Sequence, residues 1–200
     1  FGLSNHPAWK VASIYDHCKE NGYVLPSVYQ GNYNPIARAV VPELLPCLQH
    51  YGIAFNAFNV ISAGLLSGKY KFEEEVDSEG GRFDSKLWSG SFFRGKYWNK
   101  LNFEGIQIIE NAIKPHGITL LEASLRWMRH HSGLKAADGI LLGASSVSHL
   151  ESNLTDLEKG PLPESVVVAF DEAWEHVKPV TANYFFPPKQ DSFKIIKNVN

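Results

Sequence analysis

Four times along the chain, a short apolar run ends in small or amide-bearing residues and is followed by a helix-like stretch. The runs end at Ser4-Asn5, at Gln30, at Asn59 and at residues 143–146. Parallel strands need a helical crossover between them, so this order predicts a parallel sheet in an α/β fold. Such sheets bind ligands at the carboxyl ends of their strands, which is where these polar residues fall. The series therefore predicts both a fold and a ligand-binding edge.

Hydrophobic spacing and turn residues predict the individual elements. We expect strands at residues 1–4, 24–29, 53–60 and 139–142, and helices at 7–21, 42–50, 101–114, 119–131, 147–158 and 163–177. Thr119, followed three residues later by Glu122, fits a helix-capping box. A turn is expected at residues 32–35.

Residues 62–99 form a long stretch without clear periodicity, which we interpret as an irregular lid or binding loop. Loops of this length in a compact domain are either functional or disordered. The many aromatic residues in the stretch argue against disorder. The domain is expected to span residues 1–186, and residues 187–200 are expected to be a loosely ordered tail.

Composition narrows the functional class. Two hundred residues make one domain of ordinary size, and 19 basic against 21 acidic side chains argue against a broad nucleic-acid or membrane-surface role. Cys18 and Cys47 are expected to be buried free thiols. No signal segment opens the sequence and no apolar run could span a membrane, so we expect a cytoplasmic protein. Because the chain starts at Phe1 without an initiator Met, we also expect that further sequence precedes it.

The predicted fourth strand runs through a small-residue turn into a helix, an arrangement that can bind phosphate. A helix start offers unpaired N–H groups and a positive dipole end. Hydroxyl, imidazole and amide groups could add contacts there, at Ser145, Ser146, His149, Ser152 and Asn153. The alternative is an ordinary serine N-cap, and spacing alone leaves the two readings equal. This segment matches neither the P-loop pattern nor the pattern Gly-x-Gly-x-x-Gly.

A second phosphate candidate follows the predicted third strand. Gly64 and Gly68 would allow a ligand to approach the backbone closely, and Lys69 could pair with a phosphate. The alternative is a plain turn with a solvated lysine. Arg82 is a further candidate for an anionic group, with a surface arginine as its alternative.

The strand ends carry side chains that suit a carboxamide ligand. Ser4, Asn5 and Gln30 can each donate and accept hydrogen bonds, as pairing with a nicotinamide would require. Phe58 could stack on a flat ring. Taken singly, each could be structural, but their recurrence at equivalent strand ends favours a function. No spacing of Cys and His resembles a metal site, and we nominate no metal ligand.

At these motifs the chain resembles the aldo-keto reductases, and most closely the aflatoxin-aldehyde-reductase branch with its fungal relatives. The matching pieces are residues 2–5, 28–34, 57–59, 64–70, 81–83, 97–98, 125–128, 143–153 and 183–185. The resemblance covers about residues 1–186. It implies a (β/α)8 TIM-barrel fold, of which this chain would supply about the last four βα units and a carboxyl-terminal helix.

The resemblance also implies an NADPH site. Ser4, Asn5 and Gln30 would hold the nicotinamide carboxamide, and Phe58 would stack on its ring. The pyrophosphate would be wrapped by Asn59, Ser62, Gly64, Leu65, Ser67, Gly68, Lys69 and Arg82. The adenosine 2′-phosphate would be surrounded by Ser145, Ser146, His149, Ser152 and Asn153.

Two positions of the long loop depart from the branch. There a tyrosine and an arginine contact the substrate, and the best matches here are Phe93 and Lys96. Loss of the hydroxyl and of the guanidinium fork argues against a preference for carboxylate-bearing aldehydes. Val60 replaces the proline that usually follows Asn59.

The family's Asp, Tyr, Lys and His tetrad matches no residues of this chain, so we nominate no catalytic residue. The expected function is NADPH-dependent reduction of a small aldehyde or ketone, with no nucleic-acid or membrane partner. A half-barrel would have open sheet edges, which a missing amino-terminal half or a homo-oligomer would have to cover. The alternatives are a catalytically inactive cofactor-binding or regulatory module and a sugar-phosphate-binding (β/α) protein.

Overall fold

The computed structural model describes residues 1–73 and 81–186 of the chain. The tail predicted at residues 187–200 lies outside the described residues, as do residues 74–80 of the predicted long loop.

The described residues form a parallel four-stranded sheet with helices packed against one of its faces, which confirms the predicted α/β class. The sheet order is β1-β2-β3-β4, with all neighbouring strands parallel. The strands are β1 (Gly2–Ser4), β2 (Val28–Asn32), β3 (Ala54–Phe58) and β4 (Gly139–Ile140). The helices are α1 (Ala8–Glu20), α2 (Leu44–Tyr51), α3 (Trp88–Tyr97), α4 (Lys100–Ile113), α5 (Leu120–His130), α6 (Val147–Glu158) and α7 (Glu164–Val177). Short 3-10 turns occupy Ser62–Ser67, Lys114–His116 and Lys178–Val180.

The register of the sheet places polar side chains on one face. Ser4 pairs with Gln30, Gln30 with Asn56, and Asn56 with Gly139, so these residues form one line across all four strands. We call Ser4, Gln30 and Asn56 the polar row. Ser4 and Gln30 are exposed, and Asn56 is half-buried. Paired residues of parallel strands point to the same side, so the polar row lies on one face, which we call the open face.

The opposite face of the sheet is apolar and belongs to the core. Tyr29, Phe55 and Ala57 alternate with the polar positions and are fully buried. They join one continuous hydrophobic cluster with helix residues that include Val11, Leu48 and Phe170. The alternation along β2 and β3 therefore gives the sheet one packed face and one face available to a ligand.

The second strand was predicted at the wrong bounds. Residues 24–27 lie outside it, and Val24 is 75% exposed. Pro26 lacks the N–H that a strand paired on both sides needs, which explains the later start. β2 continues instead to Asn32, because residues 28–32 pair along their full length with residues 54–58.

The prediction that residues 62–99 are irregular is also wrong. They contain the 3-10 turn at Ser62–Ser67 and the ten-residue helix α3. Gly90 and Gly95 lower the helix propensity of α3, which hides it from sequence analysis. Gly90 is required by packing, because a Cβ atom there would lie 1.7 Å from the carbonyl oxygen of Asp84.

Helix boundaries were predicted more closely. α6 spans the predicted residues 147–158, and α5 starts one residue after its predicted cap. Thr119 caps α5 as expected, with its hydroxyl accepting from Glu122 N at 3.1 Å. Glu122 does not reach back to complete the box, because its carboxylate pairs with Arg126 and Lys159 at 2.8 Å each.

Cys18 and Cys47 are free thiols as predicted, but only Cys18 is buried. Cys47 is half-buried because its thiol lies between α2 and α1, 3.5 Å from the carbonyl oxygen of Ala8. Across residues 1–73 and 81–186, no helix combines the length and the apolar character that crossing a membrane requires.

A buried arginine joins the turn after β2 to the outer helices. Arg38 is only 7% exposed. Its guanidinium donates to Pro35 O at 2.8 Å, to Phe170 O at 2.6 Å and to the Asp171 carboxylate at 2.6 Å. It also lies 4.2 Å above the ring of Trp127. We call this group the Arg38 clamp.

We expect Arg38→Met to lower the free energy of unfolding by about 2–4 kcal/mol, because two buried carbonyl oxygens lose their donor. Asp171→Asn is the matched control. The Asp171 side chain is 64% exposed, and an Asn in its place can still accept from the Arg38 guanidinium, so this variant is expected to lose less stability than Arg38→Met. Urea unfolding of both variants measures the difference in the free energy of unfolding. Equal losses would contradict the prediction that the Arg38 clamp stabilises the fold mainly through its hydrogen bonds to the two carbonyl oxygens.

His131 links stability to pH. Its Nε2 atom accepts a hydrogen bond from Leu162 N at 2.9 Å, which requires a neutral ring. Burial, with the nearby charges of His130 and Arg126, lowers the pKa of His131 below its usual 6.5. The unfolded chain therefore binds this proton more readily than the folded chain does.

The contribution of His131 is expected to be complete above about pH 6.5 and to be lost as the pH falls through the lower folded pKa. His131→Gln keeps an acceptor for Leu162 N but cannot titrate. We expect the free energy of unfolding to fall less steeply in this variant between about pH 7.5 and pH 5. Parallel urea unfolding series at these two pH values measure the difference in slope, and identical slopes would contradict the prediction.

Candidate functional site

The residues predicted to hold a nicotinamide come together at the open face. Ser4 and Gln30 are direct neighbours in adjacent strands. Phe58 lies two residues beyond Asn56 along β3, and therefore on the same face. Asn5 follows β1 in a left-handed conformation, with φ of 58°, and its amide donates to Ser4 Oγ at 2.8 Å. Hydroxyl and carboxamide groups thus stand beside an aromatic ring.

The segment after β3 has an unusual backbone. Asn59, Ser62 and Ala63 have φ of 58°, 51° and 59°, and Gly64 has φ of 97°. Non-glycine residues adopt this left-handed region only at a cost in free energy. We call residues 59–64 the strand-exit turn. Its conformation has to be held by its surroundings.

A buried hydrogen-bond network holds the strand-exit turn. Asn59 Nδ2 donates to Asn32 Oδ1 at 2.9 Å and to the Tyr97 hydroxyl at 2.6 Å. The Tyr97 hydroxyl donates in turn to Asn32 Oδ1 at 3.0 Å. Asn34 Nδ2 donates to Asn59 O at 3.1 Å and lies 3.4 Å from the Tyr97 oxygen. We call Asn32, Asn34, Asn59 and Tyr97 the asparagine–tyrosine network.

Within the strand-exit turn, Asn59 and Ser62 differ in how their side chains are engaged. Asn59 uses both amide hydrogens in the network, and its Oδ1 accepts from Ala63 N. Ser62 is fully buried, and its Oγ has no hydrogen-bond partner among the described residues. Ser62 therefore leaves an unsatisfied polar atom in the part of the chain predicted to meet a pyrophosphate. Leu65, predicted for the same region, buries its side chain in the core.

The remaining residues of this candidate lie at the surface or support the backbone. Ser67 Oγ donates to Gly64 O at 2.7 Å. Gly68 is exposed, with φ of 79°. Lys69 is also exposed, and its ammonium lies 4.9 Å from the ring centroid of Tyr70.

Arg82 lies in the predicted long loop and contacts the turn that leads into α6. A Cβ atom placed on Gly143 would lie 3.9 Å from Arg82 Nη2, so the guanidinium sits against the turn that leads into α6. The same guanidinium lies 5.6 Å from the ring centroid of Phe93. Arg82 is exposed, and no described carboxylate forms an ion pair with it. Residues far apart in sequence thus place a cation beside a helix start.

The amino-terminal end of α6 is exposed and capped by serine. Ser146 is the N-cap, with its Oγ accepting from His149 N at 3.2 Å. Ser145 Oγ lies 3.0 Å from His149 Nδ1. The other first-turn N–H groups have no partner within the helix. The N-cap alternative is therefore realised, and the same geometry leaves donors free for an anion.

The last two predicted residues of α6 have different surroundings. Ser152 is exposed, whereas Asn153 is only 6% exposed. Ser152 thus shares the accessibility of Ser145 and His149, and Asn153 does not.

The two candidate substrate residues lie one turn apart on α3. Phe93 is half-buried beneath Arg82. The Lys96 ammonium lies 5.5 Å from the ring centroid of Tyr97, and burial lowers the pKa of Lys96. The adjoining aromatic residues Tyr70, Phe83, Trp98 and Phe103 form a chain of ring contacts with centroids 5.1–5.7 Å apart. Aromatic residues that precede α3 in the chain therefore pack against aromatic residues that follow it.

Sequence reasoning assigned no role to Asn32, Asn34, Asn56 or Tyr97. Asn56 could have been predicted to share the face of Phe58, because it lies two residues earlier in the same strand and alternate strand residues share a face. Asn32 and Asn34 were interpreted only as turn residues. The position of Tyr97 could not be inferred, because it depends on α3 packing against strands about 40–65 residues away in sequence. Among the described residues, no group of three or more His, Cys, Asp or Glu side chains could hold a metal ion.

The chain is similar in sequence to several known proteins. The profile described as "Aldo/keto reductase family" matches residues 1–175. The chain is 47% identical over 191 residues to human "Aldo-keto reductase family 7 member A3", covering 92% of this chain and 57% of that protein. It is 45% identical over 187 residues to an aldo-keto reductase of Pseudocercospora fijiensis, covering 92% of this chain and 63% of that protein.

A third relative is named for the compound that it reduces. The chain is 45% identical over 191 residues to rat "Aflatoxin B1 aldehyde reductase member 2", covering 92% of this chain and 52% of that protein. The chain thus spans little more than half the length of the curated relatives that it matches.

Proposed function

We propose that this chain, which belongs to the aldo/keto reductase family and within it to the aflatoxin-aldehyde-reductase-like branch, supplies the NADPH-binding wall of a carbonyl reductase. The complete enzyme would reduce a small aldehyde or ketone by hydride transfer. Two features of the described residues support it, namely the polar row on the open face and the contact of Arg82 with the turn that opens α6.

In this proposal the parallel sheet is four of the eight strands of the family's (β/α)8 barrel. The open face would then be the lumen, since TIM-barrel sites lie at the carboxyl ends of the strands. A segment carrying the other strands, or a second copy of the chain, would cover the edges at β1 and β4. The added length of the relatives is consistent with the first of these.

The observation that carries the cofactor proposal is the meeting of Arg82 with the turn that opens α6. A guanidinium and the N–H groups of a helix start are both phosphate ligands, and each strengthens the case for the other. In the proposal, Arg82 and the backbone of the strand-exit turn hold the pyrophosphate. The 2′-phosphate then lies at Ser145, Ser146, His149 and Ser152.

The polar row defines the other end of the proposed site. Ser4 and Gln30 offer the donors and acceptors that a nicotinamide carboxamide requires, with Phe58 providing a flat surface. When bound, NADPH would supply the hydride. This chain's part is to orient the ring and to hold the phosphates, and we assign it no proton donor. The family's tetrad would come from outside these 200 residues.

For the substrate we propose an aldehyde or ketone bound near Phe93 and Lys96. A lysine presents one point charge where the branch has a bidentate guanidinium, so it selects less strongly for a carboxylate. The partial burial of Lys96 disfavours its charged form further. An uncharged aryl or alkyl carbonyl compound fits these two side chains better than an acidic aldehyde.

NADPH titration and carbonyl reduction, measured together on the 200-residue chain, test the proposal. We expect tryptophan fluorescence to be quenched by NADPH without turnover of a model aldehyde such as 4-nitrobenzaldehyde. Turnover by this chain alone would contradict the placement of the proton donor elsewhere. Absence of NADPH binding would remove the cofactor proposal.

Ser146→Asp tests the position of the 2′-phosphate without removing the helix cap, because Asp is as good an N-cap as Ser. The added carboxylate would repel the 2′-phosphate, and we expect NADPH affinity to fall roughly tenfold or more. NADH lacks this phosphate, so its affinity should stay within about twofold. Fluorescence titration with both nucleotides provides the measurement, and equal losses for the two would place the 2′-phosphate elsewhere.

A further inference from the structure

We propose that Tyr97 is a positioning residue, whose buried hydroxyl sets the strand-exit turn and α3 in the geometry that the cofactor requires. The inference rests on the proposed NADPH function and extends it to a residue with no ligand contact of its own. In this inference the Tyr97 hydroxyl connects the proposed pyrophosphate region with the proposed substrate region.

Tyr97 cannot act on a ligand directly. It is only 2% exposed, and its hydroxyl faces three asparagine side chains. Burial also raises its pKa well above the usual value for a tyrosine, so the hydroxyl stays protonated. A buried, protonated hydroxyl with a full set of partners can organise its neighbours but does not reach a substrate.

The first effect of the hydroxyl is on Asn59. With the Tyr97 oxygen at 2.6 Å and Asn32 Oδ1 at 2.9 Å, both Asn59 amide hydrogens have acceptors. This fixes the amide so that its oxygen faces Ala63 N, across the strand-exit turn. The contact closes a segment in which Asn59, Ser62 and Ala63 all have positive φ. Without the hydroxyl, one of the two Asn59 amide hydrogens loses its acceptor.

The second effect is on α3. Tyr97 is the last residue of that helix, and its own carbonyl oxygen accepts from Asn102 Nδ2 at 2.9 Å. At the other end, Gly90 lies directly against Asp84. The hydroxyl therefore attaches the end of α3 to the exits of β2 and β3. Phe93 and Lys96 belong to the same helix, so one hydrogen-bonding group sets the place of both proposed regions.

Tyr97→Phe removes the hydroxyl and keeps the ring, and it is the variant for the test. We expect NADPH affinity to fall about tenfold or more, because the hydroxyl's hydrogen bonds to Asn32, Asn34 and Asn59 are lost. Adenosine 2′,5′-bisphosphate would occupy the α6 end alone, so its affinity should change by less than about twofold. This contrast between ligands would not arise from a general loss of stability.

Tyr33→Phe is the matched control. Tyr33 is equally buried, and among the described residues its hydroxyl hydrogen-bonds to Gly133 N, at 3.2 Å, and not to the strand-exit turn or α3. We expect it to be destabilised, though by less than Tyr97→Phe because one hydrogen bond is lost, while NADPH affinity is kept. Equal loss of NADPH affinity in both variants would overturn the inference, because it would indicate a structural role only.

Hydrogen exchange of the ligand-free chain tests the same inference independently of nucleotide binding. Amides of residues 59–68 and 88–97 should exchange faster in Tyr97→Phe than in Tyr33→Phe, because the network no longer closes. Unchanged exchange in these two segments would overturn the inference. If the wild-type chain binds no NADPH, the proposed function fails, and hydrogen exchange alone then decides whether Tyr97 positions these segments.

Discussion

The turn that follows β2 is the constraint on which the rest of the structure depends. On one side, Pro35 O accepts from the Arg38 guanidinium, which also holds Phe170 O on α7. On the other side, Asn34 binds Ile36 N through its Oδ1 and Asn59 O through its Nδ2. The outer helices and the strand-exit turn are thus connected through residues 34–38. Both ends of this connection are buried, where a hydrogen bond is costly to lose.

The candidate site combines a strained backbone with an asparagine side chain whose hydrogen-bonding groups are all occupied. Left-handed non-glycine residues lower the free energy of unfolding unless neighbouring contacts compensate for them. Asn59 has such contacts in Asn32, Ala63 and Tyr97. Ser62 donates its backbone N–H to Asn59 O at 2.9 Å, while its hydroxyl has no described partner. Backbone strain of this kind is typical of a segment shaped for a ligand rather than for stability, which supports the proposed position of the pyrophosphate.

Much of this arrangement could be predicted from sequence because it is local. The strand ends at Ser4 and Phe58 followed from the order of elements, and the start of α6 followed from its serine N-cap, whereas Gln30 was predicted at a strand end and lies within β2. What could not be predicted depends on long-range packing. Tyr97 meets Asn32 across 65 residues, and Arg82 meets Gly143 across 61. α3 was missed for a different reason, since its glycines conceal a helix that tertiary contact with Asp84 stabilises.

The polar row also bears on how faithfully the sheet can form. Side chains alternate with a period of two, so a slip of one residue would exchange the two faces of a strand. In β2 such a slip would turn Gln30 into the core and expel Tyr29. A buried amide without partners and an exposed large aromatic ring would both oppose it. The same residues that we expect to receive a ligand therefore act against misregistered strand pairing during folding, before any ligand is present.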